Sequence, residues 1–107
     1  MMHDFNWSKA EKKIARDIFE VTYNRECADL IKRIQAKAAK LSDPEDIWSL
    51  HDFITKQIRA IGKKYDYRYS VLLLVFAQLI KDGWLTIDEL RGLSEDKIDW
   101  INKLLNL

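Results

Sequence analysis

Apolar residues recur along this chain at steps of three, four and seven, the period of a helix rather than of a strand. From Ser8 to about Leu41 they form one line, Ile14, Ile18, Val21, Ala28, Ile31, Ile34, Ala38 and Leu41, with Phe19, Tyr23, Cys27 and Leu30 beside it. Nothing in that span breaks a helix: it has no Pro and no Gly, and it is rich in Ala, Lys, Arg, Glu and Gln. Ser8 followed by Glu11 reads as a capping box that starts the helix. At 1.5 Å per residue the helix would be roughly 50 Å long. The residues after Leu41 are too few to cover it along both apolar lines. The expectation is a homodimer built along Ile14, Ile18, Val21, Ala28, Ile31 and Ile34, since most such oligomers are twofold symmetric.

Ser42-Asp43-Pro44-Glu45-Asp46 stops this helix and starts another. Asp43 suits the cap, Pro44 the first helical position, and two acids the positive first turn. The second helix should run to about Ile61, with Gly62 as its terminator. Ile47, Leu50, Ile54, Ile58 and Ile61 form its core stripe. Trp48, Asp52, Thr55 and Arg59 form a separate stripe about a quarter-turn away, with His51 between the two. Trp48 is either covered by another element or an anchor for a partner, the role that Trp and Arg often fill.

Lys63, Lys64 and Arg68 interleave with Tyr65, Tyr67 and Tyr69. Such a mixture can bind phosphate backbones or stacked bases. It also suits a helix junction in which Asp66 caps the next helix and the tyrosines pack by their rings. The cluster is short, and the junction is the better reading. A third helix, about Tyr67 to Lys81, is apolar nearly all round and should be buried, with Gly83 ending it. Thr86 with Glu89 starts a short helix, Ile87 to Arg91, and Ser94 with Glu95 and Asp96 starts the last, carrying Ile98, Ile101, Leu104 and Leu105 inward.

Composition narrows the function classes. A chain of 107 residues makes one domain, and with three Gly and one Pro its elements are long, which favours an all-α fold: a long first helix and a compact head of shorter ones. Its 18 basic and 17 acidic residues give a net charge of +1, so no global field draws it to nucleic acid or an anionic membrane. Cys27 is the only cysteine, and a reduced cytoplasmic setting is expected. The N-terminal residues lack the pattern of a signal peptide. The longest apolar run, Val71 to Ala77, is far short of the roughly 20 residues that span a bilayer.

The residues do not suggest an enzyme. His51 and Asp52 are neighbours in sequence, and helical neighbours point about 100° apart, a poor dyad. Zinc needs four ligands, or three and a water, which one Cys and two His (His3 and His51) do not supply. There is no glycine-rich phosphate loop.

Three motifs carry more. W-x-L-H-D-F at Trp48 to Phe53, K-Y-D-Y-R-Y-S-V at Lys64 to Val71 and V-F-A-Q-L at Val75 to Leu79, closed by Gly83, resemble the fluorescence recovery protein family, without a gap from Ile47 to Gly83. The resemblance implies a single all-helical domain over residues 1–107, a homodimer and no cofactor of its own. In cyanobacteria such proteins bind photoactivated orange carotenoid protein, chiefly through its C-terminal domain, and speed its return to the orange form. They also help detach it from phycobilisomes, and members occur in bacteria that lack phycobilisomes. Trp48, His51 and Asp52 match the family's characteristic cluster, which makes them, with Arg59, the expected partner-binding residues. The family's arginine, six residues after that Asp, falls on Ile58, and an aromatic that contributes to partner contact appears as Leu74.

Overall fold

A computed structural model describes residues 5–107, and His3 lies outside them. The elements are α1 (Lys9–Ala38), α2 (Pro44–Lys64), α3 (Leu72–Lys81), a 3-10 turn (Ile87–Leu90) and α4 (Glu95–Leu105), an all-helical order. The Ser8 capping box forms as its sequence requires: Glu11 N–H donates to the Ser8 hydroxyl and Ser8 N–H to the Glu11 carboxylate, each at 3.1 Å. Beyond Ala38 the bonds tighten, with Lys40 N–H donating to Lys37 and Leu41 N–H to Ala38, so α1 stops short of Leu41. It is still about 45 Å long.

After α1 the chain reverses. The Asp46 carboxylate accepts the N–H groups of Ser42 and Asp43 at 3.0 and 3.1 Å, and α2 opens on Pro44. α2 then runs back along the C-terminal half of α1 as an antiparallel hairpin. The Lys37 ammonium lies 4.5 Å over the Phe53 ring near its tip, and Lys64 reaches Glu26 at 2.8 Å near its base. Gly62 does not end α2. Tyr65 N–H still donates to Ile61 O, and the helix carries the glycine internally, at a cost of roughly 1 kcal/mol relative to alanine.

α3 begins at Leu72, later than its sequence suggests, and Asp66 caps nothing. The Asp66 carboxylate is held instead by the Arg68 guanidinium at 2.6 Å, and Tyr67 stacks edge-on against Phe19 of α1 at 4.8 Å. Burying these rings on α1 draws the segment out of helical register, a tertiary gain that outweighs local propensity. The end of α3 does follow its sequence. Gly83, at φ 87°, lets Trp84 N–H donate to Leu79 O and Gly83 N–H to Ile80 O, a full Schellman motif.

The core lies at one end, in a head formed by the N-terminal half of α1 with α3, the 3-10 turn and α4. Ala15, Ile18, Leu72, Phe76, Leu79, Leu90 and Ile101 are its centre. α3 is not buried all round: Leu74, which faces away from the core, is 57% exposed. The hairpin is only two helices thick. Of the expected α2 core stripe, Ile61 is buried, Leu50 and Ile54 are half-buried, and Ile47 and Ile58 stand in solvent. The molecule measures 54 × 25 × 22 Å, a head with an arm. No helix among the described residues is long and apolar enough to cross a membrane.

Candidate functional site

Trp48 sits one turn into α2, on the side of the hairpin turned away from α1, and its side chain is 68% exposed. Among the described residues no element crosses α2 there, and the indole is presented to solvent rather than covered. Asp52 and Arg59 follow on the same stripe, within about 40° of Trp48 around the helix, and both are exposed. The helix start at Asp43 and Pro44 fixes where this stripe begins.

His51 departs from the sequence expectation. Its Nδ1 lies 3.6 Å from Asp52 Oδ1, because both side chains lean together across the 100° between their positions. Both are more than two-thirds exposed, so water competes for the contact and it orients the pair weakly. Together the stripe offers an indole, an imidazole, a carboxylate and a guanidinium to an incoming surface. No group of three or more potential metal ligands occurs among the described residues.

Beside this stripe runs an apolar groove between the helices of the hairpin. Phe19, Tyr23, Cys27 and Leu30 of α1 line one wall and Ile58 and Ile61 of α2 the other, enclosing about 430 Å³. Ile58 is 60% exposed at its lip. The residues expected along a single dimer seam do not share one face. From Ile18 to Ile34 the line turns roughly 160° around α1. Ile18 is buried in the head, Ile14 packs at its edge, Val21, Ala28 and Ile31 are exposed, and Ile34 is half-buried.

The base of the groove is polar and tightly joined. Glu26, buried within α1, accepts from the Tyr65 hydroxyl at 3.0 Å and from the Lys64 ammonium at 2.8 Å, while Lys64 also donates to Asp82 at 3.0 Å. Burial raises the Tyr65 phenol first, and the Glu26 carboxylate raises it further. For Lys64 burial works against the charge, yet Glu26 and Asp82 outweigh it and raise the ammonium. The Lys63–Tyr69 cluster is therefore a joint. Two of its cations are neutralised inside the chain, and its rings pack on Phe19, Tyr23 and Trp7. Glu26 is hard to single out in the sequence, where its one signal is a carboxylate one turn from an apolar line with no cation three or four residues away to meet it.

Comparison with known proteins agrees with this architecture. The family model described as photoprotection regulator fluorescence recovery protein matches residues 7–105. The fluorescence recovery protein of Synechocystis sp. is 41% identical over 101 residues, covering 94% of this chain and 93% of that protein. Among solved structures, that of the Fremyella diplosiphon protein is 45% identical with a TM-score of 0.91, covering 95% of this chain and 100% of its own. The Synechocystis sp. structure gives 40% and 0.91 at the same coverage.

Proposed function

The chain belongs to the fluorescence recovery protein family, and from that premise we propose that it is a non-enzymatic cytoplasmic regulator that binds photoactivated orange carotenoid protein and speeds its return to the orange form. The observation that carries this reading is Trp48, an indole 68% exposed on a rigid helix within the W-x-L-H-D-F motif. Exposed tryptophan is costly to leave in water and is over-represented among residues that dominate binding. Trp48 is the anchor, Asp52 the polar contact, His51 the packing link beside it and Arg59 the flanking cation. Such a regulator needs no covalent chemistry. It acts by binding a conformation on the return path more tightly than the activated state, and so biases relaxation.

We propose further that the chain acts as a homodimer. Exposed apolar surface on the hairpin, Val21, Ala28 and Ile31 of α1 and Ile47 and Ile58 of α2, has no covering element among the described residues. A second copy would bury it. Light scattering at micromolar concentration tests this directly: the dimer mass is expected, and a monomer would contradict it. For the partner, the chain should co-elute with photoactivated orange carotenoid protein and less with the dark form. Equal or absent co-elution would count against the reading.

Ile58 favours a second reading, in which the same scaffold serves a different protein partner. It places an exposed isoleucine where the family's arginine stands, and an aliphatic lip cannot supply bidentate hydrogen bonds. An Ile58→Arg variant separates the two. Gain of carotenoid-protein binding favours the first reading, and no gain favours the second.

A further inference from the structure

The N-terminal third of α1 carries Lys9, Lys12 and Arg16, all exposed, at spacings of three and four. Those spacings place the three cations within about 60° of one another, along roughly 10 Å of helix. Charge in this chain is nearly balanced, with 18 basic and 17 acidic residues, and neighbouring cations are paired. Lys13 meets Asp17 at 2.9 Å, Arg68 meets Asp66, and Arg25 meets Glu89 at 2.7 Å. Among the described residues, Lys9, Lys12 and Arg16 meet no carboxylate. Arg16 even has Glu20 one turn on, at the spacing of a helical ion pair, yet its guanidinium lies 4.3 Å over the Tyr67 ring. Lys12 lies 5.3 Å over Tyr69 in the same way.

The tyrosines matter for the choice of ligand. Tyr67 and Tyr69 are held edge-on to each other at 5.6 Å, with Phe19 and Trp7 at either end, so the platform is fixed by packing. A cation resting on such a ring is held in place while its charge stays available to solvent on the outer side. Each cation occupies a face of its ring and so competes with the base stacking that a single-stranded nucleic-acid site requires. Asp17 and Glu20 border the stripe on α1, and a continuous phosphate backbone would run against them. A segment with a few spaced carboxylates avoids that clash.

We propose that Lys9, Lys12 and Arg16 form a docking stripe for an acidic segment of a protein partner, one that presents carboxylates at helical spacing. The stripe lies on the head and the Trp48 face on the arm, so it is a second contact surface and does not depend on which protein Trp48 engages. Its effect is to orient the partner and speed encounter, the usual role of complementary charge at an interface.

The probe is a fluorescein-labelled peptide with glutamates at steps of three and four, titrated with the full chain and followed by fluorescence anisotropy. Binding at low salt that weakens about tenfold or more on raising salt is expected. It should weaken at least as much in Lys12→Glu/Arg16→Glu. Lys9→Glu, which disturbs no ring contact, should lower affinity severalfold with an unchanged melting curve. A Lys32→Glu/Lys81→Glu variant changes the net charge equally at distant exposed sites and should bind as the wild type does. No binding at low salt, equal loss in the distant variant, or tighter binding of generic duplex DNA than of the peptide would each overturn the proposal. So would a stripe variant whose only defect is dissociation of the dimer, since the stripe would then serve a second copy of this chain.

Discussion

Lys97 Nζ lies 3.0 Å from Glu11 Oε2, with the two side chains only 3% and 12% exposed. The ammonium also donates to Asn6 O at 2.6 Å, and Ser94 N–H donates to the same carboxylate at 2.9 Å. One carboxylate thus caps α1, receives the chain at the start of α4 and neutralises a buried lysine. The contact fastens the two ends of the chain across the head.

Removing one partner of this pair should therefore cost more than a surface ion pair would. Lys97→Met leaves a buried carboxylate without its counter-charge, and destabilisation of about 3 kcal/mol is expected. Glu11→Gln combined with Lys97→Met should recover part of it, because no lone charge remains. Urea unfolding at fixed protein concentration measures both. A loss under about 1 kcal/mol for Lys97→Met would mean the pair is solvated.

The same carboxylate sets an acid limb. Burial alone would raise Glu11, but the Ser8 and Ser94 N–H groups and Lys97 outweigh it and hold the carboxyl at about 2, against 4.5 ordinarily. Its folded value is the lower one, so its contribution is complete above about pH 4.5 and is lost as pH falls toward 2. Melting temperature should drop through that window in the wild type. Glu11→Gln should start lower and fall less steeply.

Two glycines should respond to alanine with opposite signs. Gly92 sits at φ 106°, and a β-carbon there would meet Ile14 Cδ1 at 2.5 Å. The isoleucine tip can shift, but the left-handed backbone cannot be relieved, so Gly92→Ala should destabilise by about 1–2 kcal/mol. Gly62 lies inside α2 with nothing within 4 Å of its added carbon. Gly62→Ala should stabilise by about 0.5–1 kcal/mol. Thermal melts of the two variants beside the wild type decide both.

What the sequence discloses here is local. The Ser8–Glu11 box, Pro44 at a helix start and Gly83 at a helix end each act within a few residues, and each forms as written. What escapes it depends on residues far along the chain. Gly62 reads as a terminator because glycine usually is one, yet nothing downstream requires the chain to turn until Tyr65 meets Glu26. Tyr67 to Val71 has helical character but is drawn onto Phe19. Lys97 looks like a solvated first-turn lysine, and only the approach of Glu11 from the other end of the chain buries it. The stripe of Trp48, Asp52 and Arg59 was legible from periodicity, but the exposure of Trp48 was not, because it depends on no other element crossing α2.

Whether Trp48 anchors the carotenoid protein is decided by recovery kinetics after photoactivation. Orange carotenoid protein is driven to its red form, and loss of the red absorbance is followed in the dark with wild-type chain, with Trp48→Ala and with neither. Trp48 is solvent-exposed, so its truncation should leave the melting temperature unchanged. The wild type should accelerate recovery, and Trp48→Ala should need about thirtyfold more protein for the same rate, the weight of an anchor contributing roughly 2 kcal/mol. Recovery no faster with the wild type than without it would rule out this partner, and equal acceleration by both chains would rule out Trp48 as its anchor.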